Sequence, residues 1–294
     1  MGAHHPERPQ RISAIEDQLI AAGLESALTR FAAPLATDEQ LARVHPPEYV
    51  QAIRDAAPRS GTVHLDPDTA MNPHTLNAAL RAAGAAVMGV DLVLSGKFSS
   101  SFAAVRPPGH HACRARPMGF CIFNNVAVAA RHALHQHGLE RVAIIDFDVH
   151  HGNGTEDIFE GDEHVVMASI FQHPFYPYSG TDNPASNMFN VPLAAGAGSK
   201  ELKNAVTEVW LPALEDFSPQ LIIFSAGFDA HAEDDMAMLR FNDSDYRWVT
   251  EQVKAVAERH ARGRIVSMLE GGYSLSALGR CAVEHIRVLA GLNS

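Results

Sequence analysis

Residues 142–154 read VAIIDFDVHHGNG, and this stretch decides the fold. Residues 142–145 form a continuous apolar run, which is typical of a strand that is buried on both faces of a sheet. Polar residues begin at Asp146, where such a strand would end. In α/β proteins with parallel sheets, ligands bind beyond the carboxyl ends of the strands. The stretch therefore predicts a buried parallel strand that leads directly into a functional site.

Similar apolar runs alternate with helical patterns along the rest of the chain. We predict strands at residues 101–105, 142–146, 165–170, 221–225 and 265–269, and helices at 9–22, 38–44, 75–94, 125–137, 199–217, 243–262 and 275–290. Strands that alternate with helices indicate β-α-β units. The sequence predicts one α/β domain over residues 1–294, with a central, predominantly parallel sheet and helices on both faces.

Composition narrows the class of protein. Of the 294 residues, 46% are hydrophobic, and the formal net charge of −11 argues against binding to a nucleic-acid backbone. Three cysteines make no disulfide framework, and the polar N-terminus has no apolar signal core. The most apolar long stretch, 78–94, contains Arg81 and Asp91, so we interpret it as a buried helix and not a membrane span. These features favour a soluble cytoplasmic protein, while its oligomeric state is not predicted.

Polar clusters follow four of the predicted strands. They are RPPGHH at 106–111, DFDVHHGNG at 146–154, SAGFDAH at 225–231 and EGGY at 270–273. Because parallel strands end at one edge of a sheet, we expect the four clusters to converge. A strand-end cap or a loop histidine explains any one of them alone, but the shared placement favours a single site.

The second and third clusters contain a candidate metal site. On an extended segment, residues two apart point the same way, so Asp148 and His150 can face one metal ion, and Asp229 supplies a third ligand. Three protein ligands that leave a position open are typical of catalytic zinc. The same donors also suit Fe(II), Co(II) or Mn(II).

The other clusters supply groups for hydrolysis. His110 and His111 can act as base and acid, and Asp146 and Asn153 are available to orient their rings. Two glycines before Tyr273 free the backbone, so that its phenol can donate to an oxyanion. In the loops MGFCIFNN and FYPYSG, we expect channel walls for a slender acylated amine; these are Gly119, Phe120 and Tyr176.

Taken in order, these motifs resemble the histone deacetylase superfamily, which has the arginase–deacetylase fold. The GNG and GFDAH forms are similar to class II members such as the bacterial histone-deacetylase-like amidohydrolases, and HPERPQR at 5–11 resembles the N-terminal motif. The resemblance covers nearly the whole chain. One departure is that Met1 stands five residues before Pro6, where the family usually has a further strand, so we expect that first strand to be missing.

The resemblance implies a zinc-dependent hydrolase that removes acetyl or other acyl groups from lysine side chains of proteins or peptides. It implies that His110 acts electrostatically and that His111 is the general base and acid. It also implies an internal cavity lined by Arg8 and a gate position at Met236. Potassium ions are implied at two places: one at Asp146, Ser169 and the main chain of Asp148 and His150, and one near Phe159, Asp162 and Val165.

Three alternatives stay open. An acetylpolyamine amidohydrolase would use the same chemistry on a small amine; we expect it to carry an acidic gate, whereas this chain has Met236, although Asp66 and Asp68 can form an acidic rim. An arginase-like site with two manganese ions needs further carboxylates where Gly152 and His231 stand. A non-catalytic interaction module would keep the fold with a damaged site.

Overall fold

The structure is a computed structural model that describes residues 5–292. Its strands are β1 (Val63–His64), β2 (Ala70–Met71), β3 (Ser100–Ala103), β4 (Val142–Asp146), β5 (Val165–Gln172), β6 (Met188–Leu193), β7 (Leu221–Ala226) and β8 (Ile265–Leu269). Its α-helices are α1 (Gln10–Ala21), α2 (Asp38–Ala42), α3 (Pro47–Ala56), α4 (Thr75–Leu94), α5 (Asn125–His137), α6 (Asn153–Phe159), α7 (Ser199–Ala205), α8 (Leu211–Phe217), α9 (Asp243–His260) and α10 (Leu275–Leu289).

Six strands form the central sheet in the order β3-β8-β7-β4-β5-β6. Every neighbouring pair in this sheet is parallel, and β1 and β2 form a separate antiparallel ribbon. In β4, Ala143 and Ile145 face one apolar core, whereas Val142 and Ile144 face another. Because helices cover both cores, the predicted parallel sheet with helices on both faces is confirmed.

Several elements differ from the prediction. Helix α3 was not predicted because its start, with Pro46 and Pro47, resembles a turn; proline is tolerated in the first turn, where the missing N–H has no helical partner. Strand β6 was not predicted because it contains Pro192, which is accepted here on an edge strand. Residues 199–217 are helical as predicted, with a π-helical turn at Val206–Trp210.

Helix α4 is the most apolar of the described helices. Among residues 5–292, it alone is long and apolar enough to cross a membrane. Within the protein it packs against α5, β3 and β8, and its alanines Ala82, Ala83 and Ala86 are fully buried. Such packing is that of a core helix, as the sequence predicted.

A buried histidine joins α2 and α3 to the loop before α5. His45 Nδ1 donates to the carbonyl of Arg114 at 2.9 Å, and Nε2 accepts from the N–H of Asn124 at 3.0 Å. Burial lowers the pKa of His45 to about 4. A proton on Nε2 would oppose the Asn124 N–H, so the folded state requires the neutral ring.

Candidate active site

Three buried ligand groups meet at the carboxyl ends of β4 and β7. The donor atoms of Asp148, His150 and Asp229 all lie within 4.8 Å of one another. His150 Nδ1 is 2.9 Å from Asp148 Oδ1 and 3.4 Å from Asp229 Oδ2. The structure therefore brings together the three residues that the sequence predicted as a metal site.

This cluster fits a divalent cation. Asp229 Oδ2 is buried and, within residues 5–292, has no hydrogen-bond partner, since the His150 contact at 3.4 Å does not have hydrogen-bond geometry. An unpaired carboxylate oxygen is costly unless a cation binds it. Burial opposes charge on His150, but Asp148 and Asp229 outweigh it and raise the pKa of His150 to about 10. A Cβ atom on Gly271 would collide with both carboxylates, which explains a glycine there. Two carboxylates and one imidazole form the open, catalytic type of zinc site.

The tandem histidines lie beside this cluster, with their ring centres 4.1 Å apart. His110 Nδ1 is 2.9 Å from Asp146 Oδ2, and His111 Nδ1 is 2.7 Å from Asn153 Oδ1. These are the pairs that were predicted to orient the rings. Each contact uses Nδ1, so Nε2 of each ring remains available for another partner.

The pKa values of the two histidines are shifted in opposite directions. Burial disfavours the imidazolium of His110, but the neighbouring Asp146 and Asp148 carboxylates raise its pKa to about 10. Burial and the positive charges of His110 and His150 lower the pKa of His111 well below its usual value. The two shifts favour the imidazolium form of His110 and the neutral form of His111. This division agrees with the roles that the resemblance implied.

Tyr273 lines the same cavity as the two histidines. Its backbone N–H donates to Asp234 Oδ2 at 2.6 Å, and the N–H of Ser274 donates to the same oxygen at 2.9 Å. The guanidinium carbon of Arg11 lies 4.9 Å from the centre of the Tyr273 ring. Asp234 and Arg11 therefore hold the backbone and the ring, while the side chain lines the cavity.

A narrow cavity of about 140 Å³ leads to this site. Gly119 and Phe120 both have left-handed backbones, with φ of 56° and 68°. A Cβ atom on Gly119 would collide with the His111 ring, so the close approach of this loop requires glycine. The predicted wall residues line the cavity together with several others; the lining is Asp68, Pro108, His110, His111, Gly119, Phe120, His150, Phe175, Tyr176, Met236, Gly271 and Tyr273.

The structure favours Arg11 over Arg8 as the arginine that reaches the site. Arg8 is partly exposed and does not line the cavity. Arg11, three residues later in the first turn of α1, is fully buried, and its Nε donates to the Gly272 carbonyl at 2.7 Å. It also donates to the Glu270 carbonyl. Helix α1 begins at Gln10 and turns Arg11 inward toward EGGY, whereas Arg8 lies before the helix.

The two implied potassium sites differ in fit. At the first, Ser169 pairs with Asp146 across β4 and β5, and its buried Oγ has no hydrogen-bond partner in the described part of the chain, so a cation fits there. At the second, Asn187 Nδ2 already donates to the carbonyls of Phe159, Asp162 and Val165, at 2.8, 3.2 and 2.9 Å. The expectation of a second cation is therefore not supported, because a side chain of the chain itself occupies the place.

Three further functional residues were not predicted, namely Phe175, Asp234 and Glu270, and Asp68, which the sequence suggested as part of an acidic rim, also belongs to the site. Asp68 and Phe175 line the cavity, and Asp234 and Glu270 hold its walls. Asp68 belongs to the turn DPDT, and its Oδ1 accepts the N–H of Gly119 at 3.2 Å. An Asp before Thr in a turn is a common local motif, so the sequence alone does not signal this long-range contact.

Glu270 supports the loop that carries the two histidines. Its Oε2 accepts the backbone N–H groups of Gly109 at 2.6 Å and His110 at 3.1 Å, and its Oε1 accepts the hydroxyl of Ser225 at 2.9 Å. The side chain is fully buried, and burial raises its pKa to about 7. The EGGY motif therefore contributes a positioning carboxylate in addition to Tyr273.

Residues at the two positions considered for a second catalytic metal do not offer ligands. Gly152 has no side chain. His231 Nε2 is 3.0 Å from Asp243 Oδ1, and its Nδ1 accepts the N–H of Glu233 at 3.1 Å. Both nitrogens of His231 are thus engaged, so the geometry disfavours the arginase-like alternative.

Comparisons with known proteins agree with this geometry. Residues 5–289 match the model of the histone deacetylase domain. A histone deacetylase-like amidohydrolase of Pseudomonas aeruginosa is 39% identical over 99% of this chain and 78% of that protein. The human polyamine deacetylase HDAC10 is 36% identical over 97% of this chain and 44% of that protein. The crystal structure of the HDA15 HD domain aligns with a TM-score of 0.92 at 35% identity, over 99% of this chain and 85% of that one.

Proposed function

Because this chain belongs to the histone deacetylase family, whose members are hydrolases, we propose that it is a zinc-dependent deacylase of lysine side chains in proteins or peptides. One observation carries the proposal. The ligand cluster of Asp148, His150 and Asp229 lies beside His111 and Tyr273 at the end of one narrow cavity. A metal site, a base and an oxyanion donor are the groups that amide hydrolysis needs.

The side chains divide the reaction between them. Asp148, His150 and Asp229 would hold the zinc ion, which would supply Lewis acidity toward the amide carbonyl and the attacking water. His111, neutral and oriented by Asn153, accepts the proton of that water and then donates a proton to the leaving amine. His110 keeps its proton and stabilises negative charge as it develops. Tyr273 donates its hydroxyl to the developing oxyanion.

The cavity suits a long, thin substrate arm. Phe120 and Tyr176 form part of the wall of this cavity of about 140 Å³, and their rings offer apolar surface to an alkyl chain. Asp68, whose backbone partner is Gly119, gives the cavity a carboxylate that can accept an N–H from a bound peptide. Met236 is neutral, which favours a peptide over a free polycation.

A second candidate is deacetylation of acetylated polyamines. Asp68 supports it, because a carboxylate on the cavity wall also attracts an ammonium group. The similarity to a relative named polyamine deacetylase supports it as well. Met236 is the observation against it, since a methionine cannot pair with a cation at this part of the wall.

The experiment compares turnover of an acetyl-lysine peptide and N-acetylputrescine by the zinc-loaded protein. We expect a higher kcat/KM for the peptide and loss of activity with a zinc chelator, restored by added zinc. Tyr273→Phe should lower kcat by about 10²–10³, the usual effect of removing an oxyanion donor. Tyr178→Phe is the matched control, because Tyr178 is 74% exposed and outside the cavity lining.

Three results would contradict the proposal. A strong preference for N-acetylputrescine would support the hypothesis that the protein deacetylates polyamines instead. Full activity of Tyr273→Phe would show that the Tyr273 hydroxyl is not the donor to the oxyanion. A zinc-loaded protein that binds acylated peptides without cleaving them would indicate a non-catalytic interaction module.

A further inference from the structure

Three main-chain carbonyls of the segment from the end of α6 to the start of β5 point at one atom. The oxygens of Phe159, Asp162 and Val165 lie 2.8, 3.2 and 2.9 Å from Nδ2 of Asn187. A ring of converging carbonyl oxygens is how proteins replace the hydration shell of potassium. This segment is therefore built for positive charge, yet a neutral amide fills it.

The orientation of the Asn187 amide is determined by its other end. Its Oδ1 accepts the N–H of Gly161 at 2.9 Å. If the amide were rotated by half a turn, its oxygen would face three carbonyl oxygens and its NH₂ would face an N–H. Only the observed orientation satisfies both ends, so Nδ2 is the atom among the carbonyls.

The positively charged side chain of Arg131 contacts the same segment. Arg131 donates to Asp162 Oδ2 at 2.7 Å, and its guanidinium carbon lies 4.6 Å from the centre of the Phe159 ring. The Asp162 carboxylate is thereby neutralised, and a second positive charge would be placed near the first. The Asp162 carboxylate is thus already paired, so the neutral amide of Asn187 leaves no unpaired charge in the segment.

We propose that the side-chain amide of Asn187 replaces a monovalent cation in this carbonyl cluster. Of the two places considered for potassium, the one at Asp146 and Ser169 is then left open to an ion, and the other is closed by the side chain of Asn187. The side-chain amide has two N–H donors for three acceptors. The backbone of Asn187, directly before β6, is held in place because its carbonyl accepts the N–H of Met167 at 3.0 Å. We therefore expect that any effect of potassium on the thermal stability of the wild type comes from the place at Asp146 and Ser169.

Thallium(I), which scatters anomalously and mimics potassium, tests the proposal in crystals of the zinc-loaded protein. We expect no anomalous peak among the carbonyls of Phe159, Asp162 and Val165 in the wild type. We expect a peak there in Asn187→Ala, which opens the space. A thallium peak among these carbonyls in the wild type would overturn the proposal, and this test does not depend on whether the variant folds.

Thermal unfolding gives a second readout. Tm is measured in KCl and in N-methyl-D-glucamine chloride at equal ionic strength, with Asn204→Ala, an exposed site on α7, as the control. Asn187→Ala should show a potassium-dependent rise in Tm that exceeds the wild-type rise by about 2–4 °C, as expected for a newly bound ion. A potassium response of Asn187→Ala equal to those of the wild type and the control would show that the cluster is not a cation site.

Discussion

Glu270 offers a direct test of how the active-site loop is positioned. Its Oε2 is the acceptor for the N–H groups of Gly109 and His110, and both are buried. Glu270→Ala leaves these two donors without a partner, at about 1–3 kcal/mol each. The free energy of unfolding should therefore fall by roughly 2–6 kcal/mol.

Glu270→Gln separates acceptor geometry from charge. The glutamine oxygen can accept both N–H groups, and its NH₂ can donate to the Ser225 hydroxyl in place of the present bond. We expect its free energy of unfolding to stay within about 1 kcal/mol of the wild type, the net value of a typical hydrogen bond.

Activity should follow the same order. When the loop loses its anchor, His110 and His111 shift, and a displacement of about 1 Å lowers the rate by about 100-fold. The assay is kcat/KM on an acetyl-lysine peptide alongside urea unfolding, with the zinc content of each variant measured. If Glu270→Gln were as damaged as Glu270→Ala, the negative charge and not the hydrogen-bond geometry would be the essential property, and the reasoning would be refuted.

Three further predictions use other parts of the molecule. The pKa of His45 is about 4 in the folded state and 6.5 in the unfolded state, so its contribution to stability is present above pH 6.5 and is lost as the pH falls toward 4. In urea titrations, the free energy of unfolding of the wild type, compared with that of His45→Gln, should fall by about 3 kcal/mol between these pH values. Gly119→Ala should reduce kcat/KM by at least about tenfold through its collision with the His111 ring, whereas Gly96→Ala, also at positive φ but with open space around it, should change stability alone. Met236→Glu should raise kcat/KM for N-acetylputrescine relative to the peptide by about tenfold, since a hydrogen bond to a charged group contributes about 1.5–3 kcal/mol, and the exposed Met238→Glu should not; an unchanged ratio would mean that residue 236 does not select the substrate.

Much of the fold was predictable from local patterns. The apolar runs of β4, β7 and β8 identify strands because both faces of a parallel sheet are buried, and the polar residues after them mark the edge where ligands bind. The three ligands, the histidine pair and Tyr273 could be chosen on this basis, because each directly follows a strand. Helix α3 and strand β6 could not, since their prolines resemble turn signals until the neighbours are known.

By itself, the sequence determined the fold class and the chemical groups of the site, because strand periodicity and the position of polar residues after strands are local properties. Only the tertiary structure decided that Arg11 and not Arg8 reaches Tyr273, since the facing of a helix depends on its packing. Only the structure showed that Asn187 fills the carbonyl cluster of residues 159–165. These contacts join residues distant in sequence, and no spacing along the chain records which donor reaches which acceptor.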